Sequence, residues 1–131
     1  MCIESHILID PSLRKTRVVV TNEIEGGRQL MVHCKSKNDD LGVHVLGPND
    51  WFQWHFRPNY FGYTLFYCAM DWGEGGLHWF DIYIQYRDYK RCKLCHWLIR
   101  KSGPCLSYGD HESCYRWKPQ GMMLRESERF D

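Results

Sequence analysis

The chain has 131 residues, 44% of them hydrophobic and 15% aromatic, which suits one domain with a real core and argues against intrinsic disorder. Its 17 basic residues balance 16 acidic ones, so electrostatics gives no reason to expect nucleic acid or an anionic membrane as partner. No apolar run approaches the ~20 residues of a membrane span, so membrane insertion is not expected.

Residues 1–16 read as a lead-in, broken at Pro11 and Ser12. No basic-then-apolar secretory segment is visible there, so a secreted form is expected to have lost its signal. Val18 to Glu25 is β-branched and alternating, Gly26-Gly27 reads as a turn, and Leu30 to Lys35 alternates again. That pattern predicts a hairpin. In its second strand, Leu30, Val32 and Cys34 share one face, opposite Met31, His33 and Lys35. Leu41 to Leu46 reads as a third strand, stopped at Gly47-Pro48. Trp51 to Phe56 reads as a fourth, partly covered on both faces. Pro58 and Asn59 mark a loop. Tyr63 to Trp72 is the most apolar stretch and predicts a central strand. His78 to Tyr86 alternates, Arg87 to Arg91 is a charged loop, and Cys92 to Arg100 reads as a strand. Ser102-Gly103-Pro104 turns the chain, and Tyr115 to Lys118 is the last candidate strand. Residues 119–131 form a charged tail expected to be loose. Short strands with turn signals every eight to twelve residues predict an all-β sandwich of seven or eight antiparallel strands, occupying 17–118.

Seven cysteines are dense for this length: Cys2, Cys34, Cys68, Cys92, Cys95, Cys105 and Cys114. Cys92-x-x-Cys95 has redox spacing, but its neighbours read as a strand rather than a helix start. A zinc site from Cys92, Cys95 and His96 with Cys105 or Cys114 would lack a second knuckle. Disulfides are the favoured reading. Cys34 and Cys68 lie in the two most core-like strands and are natural partners. Cys92 and Cys95 are each expected to reach a distant strand. Cys105 and Cys114 flank a turn at Gly109-Asp110 and suit a local bridge. Cys2 is left over, free or linking two chains.

Asp39 and Asp40 resemble a carboxylate pair but lack further oxygen ligands at useful spacing. Nucleophile-elbow, zincin and phosphate-loop motifs are missing, so neither an enzyme nor a cofactor is expected. Trp51, Tyr60 and Trp79 are candidate sugar-stacking aromatics, whereas Trp54, Trp72 and Trp97 read as core. The hydrophilic loops are Lys37–Asp40, Gly73–Gly76, Arg87–Arg91 and Tyr108–Glu112. A protein partner is expected to meet Arg87, Asp88, Tyr89, Lys90 and Arg91, with Asp110, His111 and Glu112 beside them. That loop is expected to be exchangeable for Gly/Ser without harm to the fold.

Several stretches fall in one family's order: Val20-Thr21-Asn22; His33-Cys34-Lys35-Ser36-Lys37-Asn38-Asp39-Asp40-Leu41-Gly42; Trp54-His55-Phe56; Phe66-Tyr67-Cys68-Ala69-Met70-Asp71-Trp72; Phe80-Asp81-Ile82-Tyr83; and Cys92 with Cys95-His96-Trp97 and Gly103. In these the chain resembles the plant self-incompatibility proteins, or S-protein homologues. The resemblance implies a small, secreted, disulfide-linked β-sandwich without catalytic activity. It also implies an extracellular ligand read by a membrane receptor on a neighbouring cell, as in the rejection of self pollen. Cys2, Cys105 and Cys114 stand outside the family's core pattern.

Overall fold

The computed structural model describes residues 15–119. They form two stacked sheets, with nine strands and one helical turn among the described residues. The strands are β1 (Thr16–Asn22), β2 (Leu30–Lys35), β3 (Asp40–Leu46), β4 (Trp51–Phe56), β5 (Leu65–Asp71), β6 (His78–Ile84), β7 (Leu94–Arg100), β8 (Gly103–Tyr108) and β9 (His111–Cys114). The helical turn α1 (Gln85–Asp88) follows β6. One sheet has the order β4-β1-β7-β8-β9 and the other β3-β2-β5-β6.

The sandwich is as expected, with two corrections to strand pairing. β1 and β2 are not a hairpin, because they belong to different sheets. Both carry an apolar alternating face, Val18 and Val20 on one, Leu30 and Val32 on the other, and all four residues are buried. The two faces meet across the core instead of side by side. The strands are also not all antiparallel, since β1 runs parallel to β7, with Val20 opposite Trp97.

Three further readings change. β4 is covered on one face only: Phe52, Trp54 and Phe56 turn inward, while Trp51, Gln53 and His55 are exposed. As an edge strand it borders one neighbour, so one face is left to solvent. Tyr115 to Lys118 is a strap rather than a strand. Its Tyr115 N–H donates to the Pro104 carbonyl (2.9 Å) and its Lys118 N–H to that of Trp79 (2.9 Å). The last strands are instead β8 and β9, a hairpin around Gly109-Asp110. Finally, strict alternation would place Tyr83 opposite Phe80, yet Phe80, Ile82 and Tyr83 are all buried. Between Phe66 and Cys68 the register shifts, so that three steps on β6 match two on β5. This bulge swings Tyr83 into the core. Burial there pushes its phenol up to about 12.

Disulfides close three pairs among the described residues: Cys34–Cys68, Cys92–Cys95 and Cys105–Cys114. The first and third join residues directly opposite in register. Cys92–Cys95 corrects the expectation of distant partners. Cys92 is not in the strand but in the turn leaving α1, where its N–H bonds the Asp88 carbonyl. Three strand steps would separate the α-carbons by about 10 Å. The turn brings them to 5.2 Å, within disulfide reach. Cys2 lies outside the described residues.

Loop closure ranks the three bridges. Replacing Cys34 and Cys68 together by alanine is expected to cost about 3–4 kcal/mol, and replacing Cys92 and Cys95 about 1.5 kcal/mol. Urea titration of both double variants checks the order. An equal or reversed loss would mean that the small loop holds more than its own ends.

Candidate recognition surface

The two ends of the sandwich differ in how their polar groups are used. At one end β1 runs into β2, β3 into β4, β5 into β6, and β7 into β8. Asn22, fully buried, bolts these loops together. Its amide nitrogen lies 2.7 Å from the Arg28 carbonyl, 3.1 Å from that of Leu46 and 3.0 Å from that of Gly47, while its Oδ1 accepts the Ile24 N–H at 2.9 Å. Glu74 bridges Arg28 (3.3 Å) and Lys101 (3.0 Å). Arg100 pairs with Glu23 (3.0 Å) and Glu112 (2.8 Å). The Lys101 N–H donates to Glu25 at 2.9 Å. Lys101 holds both the Glu74 and the Glu25 carboxyl below the usual carboxylate range. The Gly73–Gly76 loop is part of this lacing.

The opposite end gathers the β2–β3 turn, the β4–β5 loop, α1 with the residues after it, and the β8–β9 tip. In the first turn, Asp40 accepts the Gly42 N–H (2.9 Å) and sits 2.7 Å from His33 Nε2. The Gly42 N–H foremost, then His33, holds its carboxyl below the usual range. Gly42 adopts a positive φ of 81°, which permits that tight return. The Asp39-Asp40 pair is thus divided: Asp40 is tied into the turn while Asp39 faces solvent.

The expected partner loop is also divided. Asp88 is buried, not presented: it accepts the Ile84 N–H at 3.0 Å and two bonds from Arg87, at 2.8 and 2.7 Å. The Arg87 guanidinium lies 5.2–5.4 Å from the rings of Phe80, Trp97 and Tyr115. Asp88 and Arg87 therefore anchor the loop, and a wholesale Gly/Ser exchange would remove a buried ion pair as well as a surface. Arg91 is half committed, donating to the Tyr115 hydroxyl (2.6 Å) with Asp88 3.8 Å away. Tyr89 is half-buried, while Lys90 is exposed and lies over the Tyr89 ring at 5.6 Å. Arg91 also lies 6.0 Å from the Tyr108 ring, which brings the β8–β9 tip with Asp110 and His111 beside the loop. Glu112 is apart from them, held by Arg100.

Four exposed aromatics at this end escaped grouping from sequence. Tyr60, Phe61, Tyr63 and Tyr86 are 65%, 72%, 79% and 80% exposed. Buried Gln85 holds their loops together. Its Nε2 donates to the Asn59 carbonyl (2.8 Å), its Oε1 accepts the Thr64 N–H (3.2 Å), and its own N–H donates to the Thr64 carbonyl (3.0 Å). The usable signal was three aromatics in a segment that Pro58 and Gly62 mark as a loop. Of the sugar-stacking candidates, only Tyr60 lies here. Trp51 starts β4 at the other end, and Trp79 is half-buried against Tyr67, ring centroids 5.9 Å apart.

Against the redox spacing stands the position of Cys92, which follows α1 instead of opening a helix. The zinc alternative meets the disulfides directly. Cys92, Cys95, Cys105 and Cys114 are all oxidised in pairs, and His96 Nε2 lies 2.9 Å from the Thr21 hydroxyl. Glu112 does lie near Cys105 and Cys114, but a disulfide is no thiolate ligand.

Sequence comparison agrees with this framework. The family model for plant self-incompatibility protein S1 matches residues 17–117. S-protein homolog 5 of Arabidopsis thaliana is 42% identical over 110 residues, covering 84% of each chain. S-protein homolog 29 of the same plant is 41% identical over 106 residues, covering 79% of this chain and 78% of its own. A solved structure from the SPH (self-incompatibility protein homologue) proteins, described as a widespread family of small, highly stable, secreted proteins from plants, superposes with a TM-score of 0.56 at 18% identity. It covers 82% of this chain and 97% of its own. The chain belongs to the plant self-incompatibility S1, or S-protein homologue, family.

Proposed function

We propose that this protein is a secreted plant signal of the S-protein type. It carries no catalysis and is recognised by a membrane receptor protein on a neighbouring cell, in the manner of self-pollen rejection. Family membership supports the extracellular setting, and the three disulfides suit an oxidising compartment. The observation that carries the receptor reading is the asymmetry of the two ends. One end is laced by ion pairs between its own loops. The other presents Tyr86, Lys90 and the β8–β9 tip on a base fixed by Arg87 and Asp88. Tyr86 is 80% exposed, and tyrosine is among the residue types that most often anchor interfaces. Lys90 beside it has no ion pair among the described residues.

Labelled protein is expected to bind target-cell surfaces saturably, and protease treatment of the cells should remove the sites. Tyr86→Ala with Lys90→Glu should weaken binding at least about tenfold, while Gln53→Ala, on the exposed face of β4, should not. Undiminished binding by the Tyr86/Lys90 variant would place the receptor contact elsewhere.

A further inference from the structure

A cleft of roughly 680 Å³ opens between the β2–β3 turn and the β4–β5 loop. Lys37, Asn38 and Asp39 lie on one wall, Arg57, Tyr63 and Thr64 on the other. Its size suits a small organic ligand or a few linked rings. Two observations say what kind. The first is aromatic. Tyr63 is backed by Phe61, nearly parallel (26°) with centroids 6.4 Å apart, and Phe61 meets Tyr60 edge-on at 5.3 Å. This ladder stands in solvent, on a loop whose backbone Gln85 ties at Asn59 and Thr64, and offers a flat apolar face where a loop would ordinarily be polar. The second is electrostatic. Lys37 and Arg57 are both exposed, and neither has an ion-pair or hydrogen-bond partner among the described residues. Asp39 provides one carboxylate against those two cations.

We infer that this cleft is a binding site for an acidic oligosaccharide. A pyranose ring has a flat C–H face that lies on Tyr63. Its hydroxyls both donate and accept, so they satisfy Asp39 and Asn38 at once. Ammonium and guanidinium groups donate only, and two of them against one carboxylate call for an anion on the ligand. An extended acidic peptide would answer the charge but not the ring-sized aromatic face. Neither Tyr86 nor Lys90 lines the cleft, and the inference does not depend on the receptor reading.

The test uses the intact disulfide-bonded protein, with a galacturonate oligomer and its fully methyl-esterified form as probes. Binding is followed by calorimetry and by amide shifts in an isotope-labelled sample. The acid should bind, weaken with added salt, and shift the amides of residues 36–39 and 57–64. Tyr63→Ala should weaken it about tenfold, and Lys37→Gln with Arg57→Gln should reduce it to the level of the ester. These side chains are exposed, so the melting temperature should hold. Lys90→Glu should leave oligosaccharide binding unchanged whatever its effect on cell binding. The proposal is overturned by lack of binding at millimolar acid, by equal binding of acid and ester, or by indifference to Tyr63→Ala. It is equally overturned if polyglutamate binds as tightly as the sugar acid.

Discussion

Arg87→Met is expected to cost about 3–5 kcal/mol, the usual loss when one partner of a buried ion pair is removed. Asp88 is fully buried, and Arg87 supplies two of its three short hydrogen bonds, at 2.8 and 2.7 Å. Without Arg87 the carboxylate keeps only the Ile84 N–H at 3.0 Å and the more distant Arg91 at 3.8 Å. The guanidinium also fills the space among Phe80, Trp97 and Tyr115, and its Nη2 reaches the Asp81 carbonyl at 3.0 Å. Methionine restores the apolar stem but none of the five donors. Lysine keeps charge without the planar fork, so Arg87→Lys should fail almost as badly. The check is a urea titration of Arg87→Met, Asp88→Asn and the double variant. The double variant should regain a substantial part of the loss, because the stranded charge is gone. Strict additivity would mean that the pair is not coupled, and that the packing of Arg87 on the rings carries the whole effect.

The same pair shows what the sequence could and could not say. Arg87 to Arg91 reads as five hydrophilic residues at a loop, and average polarity places all five in water. What separates Asp88 from Lys90 is helical phase: α1 turns Gln85 and Asp88 to the same buried side, three residues apart. Four residues are too few for that period to emerge from sequence. The β2 face was legible because one side of a strand against a core leaves a clean period of two, and Leu30, Val32 and Cys34 are all fully buried. Its partner was less so. Alternation says which side of a strand is apolar, not whether the next apolar strand lies beside it or across from it, which is why β1 and β2 looked like a hairpin. β8 was hidden by its own Gly103-Pro104 start, which reads as a turn. The Tyr60–Tyr63 ladder was hidden for a different reason. Aromatics are usually core, so the loop markers Pro58 and Gly62 were outweighed, and the Gln85 bonds that fix this loop's backbone at Asn59 and Thr64 come from outside the segment. No local pattern encodes a glutamine some twenty residues away.

Gly103→Ala is expected to be as damaging, upward of about 4 kcal/mol, from the addition of one carbon. Gly103 has φ of +144°, a conformation that an L side chain adopts only with strain. A β-carbon there would overlap the Tyr115 carbonyl oxygen and come within 3.3 Å of the Arg116 α-carbon. Both obstacles are backbone, so no rotamer change relieves them. The strap from Tyr115 to Lys118 would have to lift. With it would go the Tyr115 N–H bond to Pro104, the Trp117 indole bond to the Lys101 carbonyl (2.9 Å) and the Lys118 ion pair to Asp81 (2.8 Å). Trp117 would leave Trp72 and His78, its ring neighbours at 5.7 and 5.5 Å. This strap spans the seam between β6 of one sheet and the β7–β8 turn of the other, so lifting it opens the core along one side. Thermal unfolding, with near-ultraviolet circular dichroism for the tryptophan environment, reads both consequences. Ser102→Ala, next door in the same turn, should be nearly silent. If Gly103→Ala also melted like the parent with an unchanged aromatic signal, the strap would not lie against Gly103. The seam would then have to be closed by something else.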